Sequence, residues 1–320
     1  MINPKTSMFT YKLVKGILWL VSLLPFPVLY AFSDLCSLIV RQFYRKKVVR
    51  ENLRTAFPEK SVQELKDIER KFYRQFCDNF IEDIKMLSMS KEETMRRMTF
   101  SGLDEIKKRH EAGQTLHFLY LSHFGNWEWI SSINYRMQPW GTSGQIYHPL
   151  SSDVMDELFI HLRGQYGGVN IKMRETFRRI LQLRKEGKNY TIGFISDQQP
   201  KWSSIHHFVP FLNHETAVFI GAEHIARKVD AFMMYGRMSR PKRGYYHLEI
   251  VPMEDHPASV PETTLTDRYF ELLEADIKEH PEMWLWTHKR WSRTKEEWLK
   301  RKGMRDYGQD TMDDDDENDD

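Results

Sequence analysis

"TLHFLYLSHFGNWEWISSINYRM", residues 115–137, is the stretch on which the fold turns. Its first ten residues form an apolar-rich run of the length of a buried strand. At Gly125 the chain is free to turn sharply. Asn126 is a candidate helix cap, and 125–137 reads as a helix. The alternation then repeats. "GQIYHP" (144–149) reads as a strand and "SSDVMDELFIHLRGQYG" (151–167) as a helix. "VNIKM" (169–173) is followed by the helical "ETFRRILQLRKEG" (175–187), with Gly187 as its C-cap. "YTIGFIS" (190–196) is a strand that ends at Asp197, and "ETAVFIGAEHIARKVD" (215–230) reads as a helix. "AFMMYGRM" and "YYHLEIVPM" close the series as two more strands. This order predicts an α/β fold with a mixed central sheet flanked by helices. Chemistry in such sheets gathers where strands end and helices begin.

Upstream, Lys15 and Asp34 bracket 18 charge-free residues, Gly16 to Ser33. That length is the lower edge of a spanning helix. Pro25 and Pro27 interrupt it. A kinked span, a re-entrant or interfacial anchor, a signal peptide ending near Ala31-Phe32-Ser33 and a buried core helix are the competing readings. The basic cluster Arg41, Arg45, Lys46, Lys47 and Arg50 resists translocation and keeps the bulk of the chain cytoplasmic. Residues 1–50 are therefore read as an N-terminal membrane-anchoring helical segment with a basic flank. Residues 51–305 are read as the main domain. In it, Ser61 and Glu64 form a capping-box pattern before a stripe of Leu65, Ile68, Phe72, Phe76, Phe80 and Ile84, read as packing. Ser90 and Glu93 repeat the cap spacing.

The net charge of +2 over 320 residues hides a division. Eight acidic groups fall in 310–320, which has no basic residue, so 1–309 carries +10. The last segment, 306–320, reads as a disordered acidic tail. The basic body attracts anionic partners. Its cations are interleaved with acids and no recognition motif is present, which argues against nucleic acid. Cys36 and Cys77 lack ligand spacing, so neither a disulfide framework nor a structural metal is expected. There is no P-loop or dinucleotide fingerprint.

His123 ends the first strand and Glu128 opens the next element, which puts both at one edge of the sheet. An imidazole takes a proton near neutral pH. A carboxylate on its other nitrogen fixes the tautomer and stabilises the imidazolium. The alternative is a histidine that sits in a core. Ser122 points to the opposite face of the strand from His123 and is discounted as a nucleophile.

"HFGNWEW" (123–129) resembles the H-x4-[DE] motif of the lipid A late (secondary) acyltransferases, within the lysophospholipid acyltransferase group. "ENLRTAFPE" (51–59), "FISDQQP" (194–200), "VPFLNHETAVFIGAEHIARKV" (209–229) and "PEMWLWTHKRW" (281–291) resemble further segments of that family in the same order. The resemblance covers about 10–295. One departure is the loop "QQPKWSSIHHFVPF", which lacks the glycine usual there. The resemblance implies acyl transfer from an acyl thioester to a lipid hydroxyl, with no cofactor, no metal and no acyl-enzyme. His123 would be the general base, Glu128 its orienting acid and Arg163 the oxyanion donor. Asn126, Lys172, Arg174, Asp197 and Gln198 would bind substrate. For Lys172 and Arg174 the alternative is a solvated strand end. Trp284, Trp286, His288, Lys289 and Arg290 read either as a membrane-proximal belt or as a packed C-terminal staple. The implied partners are acyl carrier protein or acyl-coenzyme A as donor, an anionic glycolipid acceptor and the bilayer. The implied place is a bacterial inner membrane, cytoplasmic side. An aminolipid or glycerolipid acceptor and a non-catalytic lipid carrier are the rival readings.

Overall fold

The computed structural model describes residues 4–306. The chain opens with α1 (Pro4–Ser22) and α2 (Phe26–Phe43), which meet at a bend of 111°. Pro25 stands at the break, where a proline ring cannot continue the helix before it. Among the described residues no single helix is long and apolar enough to cross a membrane; α1 and α2 reach that length only together. The two prolines thus accompany a split helix rather than a kinked one. Next come α3 (Lys46–Ala56), α4 (Val62–Lys85) and α5 (Lys91–Arg97). Both oxygens of the Ser61/Glu64 capping box are engaged at the start of α4, a device that contributes about 1 kcal/mol. Ile68 and Phe72 of the α4 stripe are buried, whereas Phe80 is exposed and lies edge-on to Phe76. Another side of α4 buries Glu69, Asp78, Glu82 and Asp83, an unusual number of acids for one helix.

The sheet is built from β1 (Met98–Ser101), β2 (Leu116–Leu121), β3 (Thr142–Tyr147), β4 (Val169–Lys172), β5 (Tyr190–Ile195), β8 (Phe232–Lys242) and β9 (Tyr245–Glu254). A separate hairpin joins β6 (His207–Phe211) to β7 (His214–Val218). Between the strands run α6 (Leu103–Glu111), α7 (Asn134–Met137), α8 (Asp153–Gly164), α9 (Thr176–Glu186) and α10 (Gly221–Val229), and after them α11 (Thr264–Glu279) and α12 (Lys295–Asp306). The strand order is β1-β9-β8-β2-β5-β3-β4. Within this sheet, among the described residues, only β8 and β9 pair antiparallel, so the sheet is mixed, as the sequence predicts. All six residues of β2 are buried, in keeping with its place inside the sheet.

Two expected helices differ. Residues 125–137 form a turn, a 3-10 helix over Glu128–Ile133 and the short α7. The hydroxyls of Ser131 and Ser132 bond back to the carbonyls of Glu128 and Trp129, at 2.6 and 2.7 Å. Such local bonds compete with a regular helix. Residues 215–230 split into β7 and α10, because "HETAV" pairs with "HFVPF" across Leu212 and Asn213, both at positive φ (49° and 66°). That is the backbone of a tight two-residue hairpin. Gly187 is the left-handed C-cap it was expected to be. From residue 307 on, the predicted acidic tail lies outside the described residues.

Candidate active site

β2 and β5 are parallel neighbours, and Leu121 stands opposite Ile195. His123 and Asp197 each lie two residues further on, so the register delivers them side by side at the carboxyl edge of the sheet. The His123 Nδ1–H donates to Asp197 Oδ1 at 2.8 Å, and the His123 amide donates to Asp197 Oδ2 at 3.0 Å. The Trp284 indole donates to the same Oδ2 at 2.8 Å. Burial alone would raise the Asp197 carboxyl. The His123 ring and these three donors outweigh it and hold the carboxyl below its ordinary range. An ionised Asp197 accepts only, so Nδ1 carries the imidazole proton and Nε2 is left as the basic nitrogen. Nε2 has no hydrogen-bond partner among the described residues, and the side chain is 20% exposed. The Trp127 ring packs edge-on to the imidazole at 5.0 Å.

The acid on His123 is therefore Asp197 and not Glu128. Glu128 opens the 3-10 turn and gives both oxygens to Arg163 of α8: Nε donates to Oε2 at 2.7 Å and Nη2 to Oε1 at 2.6 Å. Two-point geometry of this kind is the strongest form of the pair. It also changes the expectation for Arg163, since Nε and one N–H of Nη2 are taken by Glu128, leaving Nη1 and the second N–H of Nη2 for an oxyanion. Asp83 of α4 is buried near this pair, and its Oδ1 has no partner among the described residues. Burial, then the charges of Glu128 and Glu82, push its carboxyl well above the ordinary range. One guanidinium facing two carboxyls thus leaves Asp83 as the natural holder of a proton.

Asn126, expected among the substrate-binding residues, is placed as a buried structural tie. It is 1% exposed, its Oδ1 accepts from the Trp129 amide and its Nδ2 donates to Glu82 Oε2 at 2.9 Å. The cap role read from the sequence stands. Glu82 also accepts from the hydroxyls of Tyr30 and Tyr246, and burial raises it to about 7. Gly125 has φ +66°, and a Cβ there would meet Met238 Sδ at 2.5 Å. Only glycine fits this turn.

Lys172 ends the edge strand β4, and Arg174 follows it; both are exposed on the same edge of the sheet, with β3 between β4 and β5. Neither has an ion-pair partner among the described residues. Gln198 is half-buried beside Asp197, whereas its neighbour Gln199 is buried and bonds Ser292 and the Arg293 amide. Ser122 is buried. The closing "PEMWLWTHKRW" segment is a packed staple rather than a membrane belt. Trp284, Trp286 and Arg290 are at most 2% exposed. Trp284 bridges Phe124, the Leu285 amide donates to the His123 carbonyl at 3.0 Å and the Gly125 amide to that of Met283 at 2.9 Å. The staple thus holds the backbone on both sides of His123 while the Trp284 indole grips Asp197. The sequence singles out Trp284 as part of the closing segment, but its link to Asp197 is purely tertiary.

The family model for bacterial lipid A biosynthesis acyltransferases matches residues 3–293. The chain is 24% identical to an Escherichia coli (strain K12) lipid A biosynthesis palmitoleoyltransferase over 281 residues, which is 86% of this chain and 88% of that one. It is 26% identical to a lipid A biosynthesis lauroyltransferase of the same strain over 286 residues, covering 86% and 89%. With a match that spans the sheet, the His123–Asp197 edge and the Trp284 staple, the chain belongs to the bacterial lipid A biosynthesis acyltransferase family and is an acyltransferase.

Proposed function

We propose that the protein moves a fatty acyl chain from an acyl thioester to a hydroxyl of a lipid A precursor, with His123 as the general base. The observation that carries this is the Nδ1–Asp197 bond of 2.8 Å, which leaves Nε2 open at the sheet edge. Nε2 takes the proton of the acceptor hydroxyl as its oxygen attacks the thioester carbonyl. The tetrahedral intermediate places negative charge on the former carbonyl oxygen. Arg163, clamped by Glu128 and with Nη1 unengaged by it, supplies positive charge for that oxygen. Collapse breaks the carbon–sulfur bond, and the departing thiolate takes the proton back from Nε2. Asp197 stays ionised throughout and stabilises the imidazolium. No residue in the turn offers a prepared nucleophile.

The donor in this reading is acyl carrier protein, an acidic protein that suits a body of net +10. The acceptor is an anionic glycolipid, and the exposed Lys172 and Arg174 on the same edge suit its phosphate. The enzyme would work on the cytoplasmic face of the inner membrane, with 1–50 as its anchor. Purified protein incubated with a lipid A precursor and acyl carrier protein thioester should yield a product heavier by one acyl group in mass spectrometry. His123→Ala should abolish that product. Transfer by His123→Ala at the wild-type rate would end the proposal.

A further inference from the structure

The N-terminal helices carry a surface that acyl transfer does not use. α2 lies along α4 and is bonded to it down one side. Tyr30 Oη donates to Glu82 at 2.8 Å, Ser33 Oγ to Asp78 at 2.7 Å and Arg41 Nε to Glu69 at 3.0 Å. A helix tied to a folded domain along its length is not ringed by lipid. α1 packs on α8 and α4, and Lys85 and Ser88 bond the carbonyl of Ser22 at its end. Opposite these contacts both helices are apolar and open. Phe9, Leu13 and Leu20 of α1, and Phe32, Leu35 and Phe43 of α2, are each more than half exposed.

Just beyond Phe43 the chain turns into α3. There Lys46, Lys47, Arg50 and Arg54, with the single acid Glu51, line a groove of about 590 Å³. Arg50 shares Glu69 with Arg41, and Lys46 donates to Gln42. Lys47 and Arg54 have no ion-pair partner among the described residues. An apolar face that ends in a cationic groove matches the layering of a bilayer surface, with acyl chains below and phosphates at the rim.

We propose that α1 and α2 lie in the plane of an anionic bilayer, apolar faces inward, and that the α3 groove binds the phosphate of an anionic lipid headgroup. This deepens the membrane placement proposed above. It concerns a lipid site apart from His123, and its test needs no turnover, so its failure and that of the acyl-transfer reading are read separately.

The test is partition of the full chain onto vesicles of phosphatidylcholine with and without phosphatidylglycerol. Wild type should favour the anionic vesicles. Lys47→Ala with Arg54→Ala should lower that partition about 25-fold, about fivefold per cation, and leave partition onto neutral vesicles unchanged. Phe32→Ser with Leu35→Ser should lower both. In a second measurement, a fluorophore at single cysteines placed at 13, 20, 35 and 39, with Cys36 and Cys77 replaced by serine, is quenched by lipids labelled at graded depths. In-plane helices predict one shallow depth for all four sites. Graded depths, or undiminished partition of the charge variant, would overturn the proposal. So would a charge variant that keeps its partition but shows a raised KM for an acyl carrier protein donor, since that assigns the groove to an acidic protein.

Discussion

Asp197→Asn changes one atom and should invert the His123 tautomer. In the wild type Oδ2 accepts two N–H groups, from the His123 amide and from Trp284, while Oδ1 accepts one, from Nδ1. An asparagine has one acceptor end. Placing its oxygen where Oδ2 was keeps two bonds and the staple. Its NH₂ then faces Nδ1, which must turn from donor to acceptor, and the ring proton moves to Nε2. The nitrogen that should take the substrate proton is thereby blocked. The equivalent change in a hydrolytic triad costs about 10⁴ in kcat. Here the expected loss is about 10³ to 10⁴, or about 4 to 5.5 kcal/mol of barrier. The fold should survive, because all three hydrogen bonds at residue 197 are kept and only the one to Nδ1 reverses direction. The assay is kcat for acyl transfer beside a thermal melt. Glu128→Gln is the control: it weakens the clamp on Arg163 but leaves the tautomer, so the acid limb of its pH–rate profile should stay where the wild type has it. The reasoning is refuted if Asp197→Asn keeps a tenth of the activity, or if Glu128→Gln moves the acid limb while Asp197→Asn does not.

Trp284→Phe keeps an aromatic ring in the staple but removes one charge-assisted donor from Asp197, so kcat should fall about tenfold with an unchanged circular dichroism spectrum. Gly125→Ala puts a Cβ at 2.5 Å from Met238 Sδ in a left-handed backbone, so unfolding in urea should show a loss of about 1–3 kcal/mol. For Glu82, burial raises the folded value from 4.5 to about 7. The native state therefore binds more protons than the unfolded chain between those values, and stability falls as pH rises through that window. Glu82→Gln should flatten this slope, measured as melting temperature against pH, and gain relative to wild type at pH above about 7 by at most about 3 kcal/mol.

Much of the fold is legible because the central strands are uniformly apolar and the helices between them carry caps and periodicity. β2, β5, α8 and α9 fall where their patterns put them. The hairpin β6–β7 escapes because "LNH" sets a tight turn inside a run that also has helical spacing. At the site, His123 is legible from its place after a strand. Its partner is not, since H-x4-E spacing says nothing about which way Glu128 leaves the turn. The clue was available elsewhere: Asp197 also ends a buried strand, and parallel register sets such residues side by side. That Asn126 and Glu128 belong to the polar layer over α4 depends on Glu82 and Asp83 of α4 and Arg163 of α8, two helices far apart in sequence that no local pattern connects.

The most direct test of the central claim is the tautomer of His123 itself. Two-bond proton–nitrogen correlation spectra of ¹⁵N-histidine protein, assigned by the peak set lost in His123→Gln, report which ring nitrogen bears the proton. The account predicts that Nδ1 is protonated and Nε2 free in the wild type, and the reverse in Asp197→Asn. A wild-type ring protonated at Nε2, with Nδ1 as its free nitrogen, would contradict it.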